Sequence, residues 1–255
     1  MPADEKTEAA PDRAFWITWY DLPADGREEY LSWLHGTYIP KVLQRPGVLW
    51  AAHYATEDNT VPLGGGKGRV SRHASSAEVP AGDRYILIFG GAEAHVFANP
   101  NPREFPEQLP EHDKRMLAMR TGERANIMVE EARIHGPEAM EPPDMAPGPC
   151  IQLGSFNSIS HQDEDEMAAW YARWRLPSLK TLPGVIRVRK LVSVAGWAKH
   201  ACFYEFTSLE ARNTHFIHYE SSNPEMEAWS KDVVSKLIHA TRLPSVARRI
   251  WPAMG

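Results

Sequence analysis

Apolar and polar positions along this chain alternate with two different periods, and the order in which the periods follow one another occurs twice. Residues Ala14–Asp21 (AFWITWYD) are aromatic and β-branched and read as a strand. Helical spacing follows, with Tyr30, Leu31, Trp33 and Leu34 on one face. A Pro-Gly turn (Pro46-Gly47) leads into a second strand, Val48–Ala55, and Arg84–Phe89 reads as a third. A second helix and a last strand, Asn126–His135, complete the series.

The second series starts at Ile151–Ser158. It continues with helical spacing at Met167, Trp170, Tyr171 and Trp174, the turn Pro183-Gly184, and strands Val185–Val192 and Ala201–Phe206. A helix over Pro224–His239 and a strand at Ser245–Trp251 close it. Asp25 with Glu28 and Ser160 with Asp163 have the spacing of capping boxes at the two first helices. Pro40 and Pro177 should end those helices, since proline lacks the N–H and crowds the preceding turn.

Each series is β-α-β-β-α-β, the split ferredoxin-like motif. One such unit leaves a sheet face bare, and two can cover each other. The expected architecture is α+β: tandem ferredoxin-like repeats forming an intrachain α+β barrel, with halves at residues 14–140 and 150–255 and a disordered leader at 1–13.

Charge and composition remove several functions. A net charge of -5 without a basic block gives no electrostatic footprint for nucleic acid. No apolar run approaches the roughly 20 residues of a membrane span, and the N-terminus has no signal-peptide core, which points to the cytoplasm. The two cysteines, Cys150 and Cys202, lack metal-ligand spacing and are expected to be reduced and buried. No metal site is expected, and a homodimer stays open as an assembly.

The doubled motif is Trp33, Pro40, Pro46-Gly47-Val48, then Trp170, Pro177, Pro183-Gly184-Val185. In this it resembles the dimeric α+β barrel superfamily in tandem form, closest to EthD-like and stress-responsive barrel proteins. The resemblance implies a small, largely apolar cavity for aromatic or cyclic molecules. It also implies the chemistries of that superfamily: cofactor-free monooxygenases, cyclases, dehydratases, decarboxylases and isomerases, and haem enzymes such as chlorite dismutases. A His at about the place of His35 is a site residue in several EthD-like proteins.

Three of the four catalytic candidates lie where the two copies differ. His35 and Tyr38 share one side of the first helix, where the second copy has Ala172 and Arg175. His53 interrupts an apolar stripe of its strand, and its counterpart is Lys190. His95 follows the third strand and is matched by His215. These give catalytic candidates His35, Tyr38, His53 and His95, with histidine suited to proton transfer near neutrality. Trp16, Tyr20, Trp50 and Tyr204 are candidate aromatic walls. Arg187 and Arg189 would be charges inside a barrel, needing Glu130, Glu131 or Glu205 as partners or an anionic ligand. The long segment from Thr56 to Asp83, with "LGGGKGR" and His73, reads as a lid.

The leading expectation is a cofactor-independent enzyme of the lyase, decarboxylase, dehydratase or cyclase type. His-Tyr acid–base chemistry would act on a small aromatic or cyclic molecule, with room for a carboxylate. The alternatives are a haem enzyme using His215 or His200, and a non-enzymatic stress protein that binds a small ligand.

Overall fold

The computed structural model describes residues 12–58, 71–140 and 147–253. The glycine-rich part of the expected lid and most of the expected leader lie outside these residues.

Eight antiparallel strands close into a barrel. In the first half, β1 (Ala14–Asp21), β2 (Val48–Thr56), β4 (Tyr85–Gly91) and β5 (Thr121–His135) lie in the order β2-β4-β1-β5. In the second, β7 (Val185–Ala195), β8 (His200–Phe206) and β6 (Cys150–Ser158) lie in the order β7-β8-β6. The halves join where β5 pairs with β7. They join again through β10 (Ser245–Trp251), which pairs with both β2 and β6. Two short strands, β3 (Arg72–His73) and β9 (Leu237–His239), extend from β6 outside the ring. Closure leaves none of the eight strands with an open edge.

The alternation of β1 was ambiguous because both of its faces are buried. Phe15, Ile17 and Trp19 point into the barrel, and Trp16 and Tyr20 point outward under the helices. The interior is filled by large side chains, including Trp19, Trp50, Tyr54 and Phe203. Gly90 makes room for one of them: a Cβ there would lie 2.1 Å from the Trp50 indole. The outer faces carry helices: α1 (Arg27–Trp33), α2 (Ile39–Leu43) and α3 (Glu111–Leu117) on the first half, and α4 (His161–Trp170), α5 (Leu176–Leu179), α6 (Leu209–Ala211) and α7 (Pro224–Ser235) on the second.

Pro40 and Pro177 do not end their helices. A π turn precedes each proline, Leu34–Tyr38 and Tyr171–Arg175, and the helix then runs on. The wider turn moves hydrogen bonding one residue back: Ile39 N–H reaches Leu34 O, and Leu176 N–H reaches Tyr171 O. This relieves the clash that a proline ring makes with the carbonyl four residues earlier. Gly47 and Gly184 then make the turns to the next strands at φ 83° and 84°, which explains why each motif carries Pro-Gly.

Three further expectations change. Ser160 caps α4 by accepting from Asp163 N–H, but α1 starts at Gly26 with no side-chain cap, so Asp25 has no such role. The helix from Pro224 stops at Ser235, and Leu237–His239 becomes strand β9 instead. Asp12, placed in the leader, is fully buried in the barrel.

Asp12 belongs to a network of charges. Arg187 donates to both carboxylate oxygens of Glu205 at 2.8 Å, and Arg189 donates to Glu205 at 3.1 Å and to Asp12 at 2.7 Å. Gly148 N–H and the Trp50 indole complete the shells of Glu205 and Asp12. Arg133 bridges Asp12 and Glu130. Burial opposes ionisation of both interior carboxyls, but the facing guanidiniums outweigh it and lower both pKa values. Replacing Glu205 with Gln leaves two buried guanidiniums short of a counter-charge. That should destabilise the fold by about 3–5 kcal/mol, read as a lower urea midpoint; an unchanged midpoint would show that the network is not needed for stability.

Candidate active site

Three side chains on the outer face of the first half form a hydrogen-bonded line. The π turn places His35 over β2, half-buried and stacked on Trp251 at 6.1 Å between rings. His35 Nε2 lies 2.8 Å from His53 Nδ1, and His53 Nε2 lies 2.9 Å from the Tyr20 hydroxyl. His53 is fully buried against the rings of Tyr20 and Tyr85, which also touch each other. Burial lowers its pKa far below the ordinary histidine value, helped by His35 and Arg120. Burial also lowers the pKa of His35. A neutral imidazole has one donor and one acceptor nitrogen, so protons along the line all point the same way at any moment.

Behind Tyr20 stands Arg120. Its guanidinium lies 4.5 Å from the Tyr20 ring centroid and 5.6 Å from that of Tyr38. Its Nε donates to the Tyr30 hydroxyl at 2.6 Å, and Nη1 pairs with Glu123 at 2.7 Å. Burial raises the pKa of Tyr20 well above the ordinary value, with Arg120 opposing, and burial raises that of Tyr38 in the same way. Both are therefore neutral phenols at physiological pH.

Arg120 and Tyr38 also line a cavity of about 790 Å³. It opens between the outer face of the first-half sheet and the segment around Asn101–Pro106, and reaches the end of the barrel at Val79, Arg124 and Trp197. Trp16, Tyr38 and Trp197 give it aromatic walls. Glu78, Val79 and Pro80, from the described part of the expected lid, close one side. The volume lies within the range of small-molecule sites.

The expected site residues are only partly brought together. His35, His53 and Tyr20 touch one another, and Trp16 and Tyr38 line the cavity. His35 itself does not line it, so the expected His35–Tyr38 pair is divided between the line and the cavity wall. The π turn separates the two side chains. His95 stands on the surface, 75% exposed and 3.3 Å from Glu93. Trp50, Arg187 and Arg189 are inside the barrel, where the arginines are held by Glu205 and Asp12 rather than free for a ligand. Glu130 pairs with Arg133 and Glu131 with Lys190. Tyr204 accepts from Arg175 Nε at 2.7 Å and lines a second-half cavity of about 90 Å³. His73 meets Leu243 O at 2.9 Å, away from the large cavity.

Arg120 and Arg124 escaped the sequence reading. Arg124 carried the signal that singled out His53: it is a charged residue on the inward stripe of its strand, in line with Met128. Arg120 precedes β5, where no periodicity marks it.

A haem would need an axial ligand from these residues. Haem iron takes a His, Cys, Met or Tyr ligand. Among the described lining residues of the large cavity only Tyr38 is of that kind, and burial keeps it a phenol. His200 is buried between Lys190 and Glu164, and His215 is exposed on the π turn Arg212–Phe216. Among the described residues, the large cavity, His200 and His215 do not fit a haem. Among the described residues no group of three or more His, Cys, Asp or Glu is placed to hold a metal ion, and no helix is long and apolar enough to cross a membrane.

The sequence matches no family profile and no curated protein. Solved structures do match. An anthrone oxidase-like protein superposes with a TM-score of 0.59 at 10% identity, covering 94% of this chain and 92% of its own. A provisionally assigned monooxygenase from Fusobacterium nucleatum gives 0.55 at 8% identity, with 94% and 93% covered. A provisionally assigned chlorite dismutase gives 0.50 at 11%, with 94% of each chain covered. What they share with this chain is the fold. It is an α+β barrel of eight antiparallel strands, closed here within one chain.

The buried histidine gives the fold a pH signature. The unfolded chain protonates His53 near pH 6.5, whereas the folded chain resists it. Stability should therefore fall as pH drops below about 6.5, by up to about 1.4 kcal/mol per pH unit for this group, and be independent of it above that. Urea unfolding between pH 7.5 and 5.5 should show a shallower fall for His53→Phe; the same slope in both proteins would assign the dependence to other groups.

Proposed function

We propose that the chain is an enzyme that moves a proton on a small aromatic or cyclic molecule bound in the first-half cavity. Lyase, decarboxylase, dehydratase and cyclase reactions all begin or end with such a step. The observation that carries this reading is the neutral Tyr38 phenol facing the cavity beside Arg120, with the line Tyr20–His53–His35 directly behind that arginine. Tyr38 is the catalytic residue: its hydroxyl donates to an oxygen that gains negative charge, and the buried Arg120 guanidinium stabilises that charge. Glu123, which also lines the cavity, is placed to take the proton.

His35, His53 and Tyr20 are positioning residues. The Arg120 cation favours the Tyr20 dipole with its proton turned away, toward His53, and His53 then donates to His35. Protonating His35 reverses the line: His53 Nδ1 must accept, and the Tyr20 proton is driven back toward Arg120. Activity should therefore fall on the acid side, through the lowered pKa of His35.

We also read the two halves as diverged copies of one β-α-β-β-α-β unit. The matching strand orders and the π turns at matching places support this. The names of the barrel neighbours do not transfer a reaction, but anthrone is a reasonable test molecule, being a planar carbon acid of suitable size. The neighbour named a chlorite dismutase keeps haem in view, against the poor fit of the residues. A ligand-binding protein without chemistry would bind anthrone but not exchange its protons.

Exchange of the anthrone methylene protons in D2O, followed by NMR, tests the proposal. Wild-type protein should accelerate exchange, and Tyr38→Phe should slow the catalysed rate by roughly 10²–10³-fold. His35→Gln should keep the plateau rate and flatten the acid limb of the pH profile. Exchange at the buffer rate with wild-type protein would count against an enzyme of this kind, and an acid limb preserved in His35→Gln would remove the line from the mechanism.

A further inference from the structure

The cavity contains a second feature, whose meaning rests on the reading of that cavity as a ligand site. Arg124, on β5, is 7% exposed and stacks over the Trp19 indole at 3.7 Å from the ring centroid. Nη1 donates to Ser155 Oγ at 3.3 Å. Nε and Nη2 have no hydrogen-bond partner among the described residues. The carboxylate that acts on Arg124 is Asp83, which is itself held by Arg242. Burial pulls the Arg124 pKa down to about 9, the mark of a cation without an adequate counter-charge.

The same barrel shows how such an edge is used when it is filled. Arg187 donates through Nε and Nη2 to the two oxygens of Glu205, both at 2.8 Å. Side-on pairing of this kind fits a planar group with two oxygens. Arg124 has the same pair of donors, and no described residue accepts from them. Arg120 adds a second buried cation to the cavity wall, with a side chain 3% exposed and Nη2 also without a partner. The acidic groups on the lining are Glu123, tied to Arg120, and the exposed Glu78. Arg103 stands at the rim.

We propose that the ligand of the first-half cavity is an aromatic carboxylate, with its carboxylate on the Nε–Nη2 edge of Arg124 and its ring against the Trp16 and Trp197 walls. This moves the anion anchor away from Arg187 and Arg189, which pair with Glu205 and Asp12 within the barrel. It also gives Arg124 a reason to be buried at a place where an apolar residue would pack without penalty.

Calorimetric titration with 9-anthracenecarboxylate and with the uncharged 9-anthracenecarboxamide tests the assignment. The carboxylate should bind wild-type protein at least about tenfold more tightly than the amide, a difference of about 1.4 kcal/mol. Arg124→Met, which keeps the apolar stem, should bring the two affinities to within about twofold, and Arg124→Lys should restore part of the preference. Circular dichroism checks that each variant is folded; if Arg124→Met does not fold, Arg124→Lys decides, since a charge without the fork must weaken the preference. Equal binding of the two molecules by wild-type protein would overturn the carboxylate subsite and leave the cavity reading standing. Binding of neither would overturn both.

Discussion

The carboxylate of Glu205 sets what the barrel interior can be. It is buried, and it accepts from two arginines and a backbone N–H. With Asp12 it brings β7, β8, the start of the chain and Trp50 of β2 into one network. Around these charges the interior is packed with Trp19, Tyr54 and Phe203. A barrel whose centre is filled in this way leaves little room for a substrate there. Binding space must then come from the outer faces, where helices and connecting segments lie over the sheet, and from the barrel end at Arg124 and Trp197.

The two outer faces use that space differently. On the second half, Arg175 reaches across to Tyr204 and Glu220, and Lys190 is surrounded by His200, Glu131 and aromatic rings. The cavity beside Tyr204 holds only about 90 Å³, and a more open cleft of about 590 Å³ lies at Thr207–Thr214. On the first half, the residues matching Arg175 and Lys190 are Tyr38 and His53. They are smaller and neutral, and the cavity is about 790 Å³. Beside Tyr204 the space is taken up by a charge network, whereas the first half keeps a pocket with a polar line behind its wall.

Much of the fold was legible in the sequence because the doubled Trp-Pro-Pro-Gly pattern records real constraints: Pro-Gly at positive φ, and a proline that forces a π turn. The strands Ala14–Asp21 and Ser245–Trp251 fall where alternation and β-branching put them. The choice between the two faces of β1 was not legible, since a strand buried on both sides carries no amphipathic signal. The site was half legible. His53 stood out as a polar residue on an apolar stripe, and the structure brings it between His35 and Tyr20. Arg120 did not stand out, because its importance comes from packing against tyrosines distant in sequence. Arg187 and Arg189 were marked as charges needing partners, and a partner outside the described strands, Asp12, completed them. Sequence distance, rather than residue type, decided what could be foreseen.

The central claim is that ligands bind in the first-half cavity, between the outer face of the sheet and the barrel end at Arg124, and not at the barrel centre near Arg189 or in the second-half cavity beside Tyr204. A crystal structure of the protein soaked with 9-anthracenecarboxylate tests it most directly. The account predicts the aromatic ring among Trp16, Tyr38 and Trp197, with the carboxylate at Arg124. Density for the molecule inside the barrel near Arg189, or in the second-half cavity beside Tyr204, with the first-half cavity empty, would contradict it.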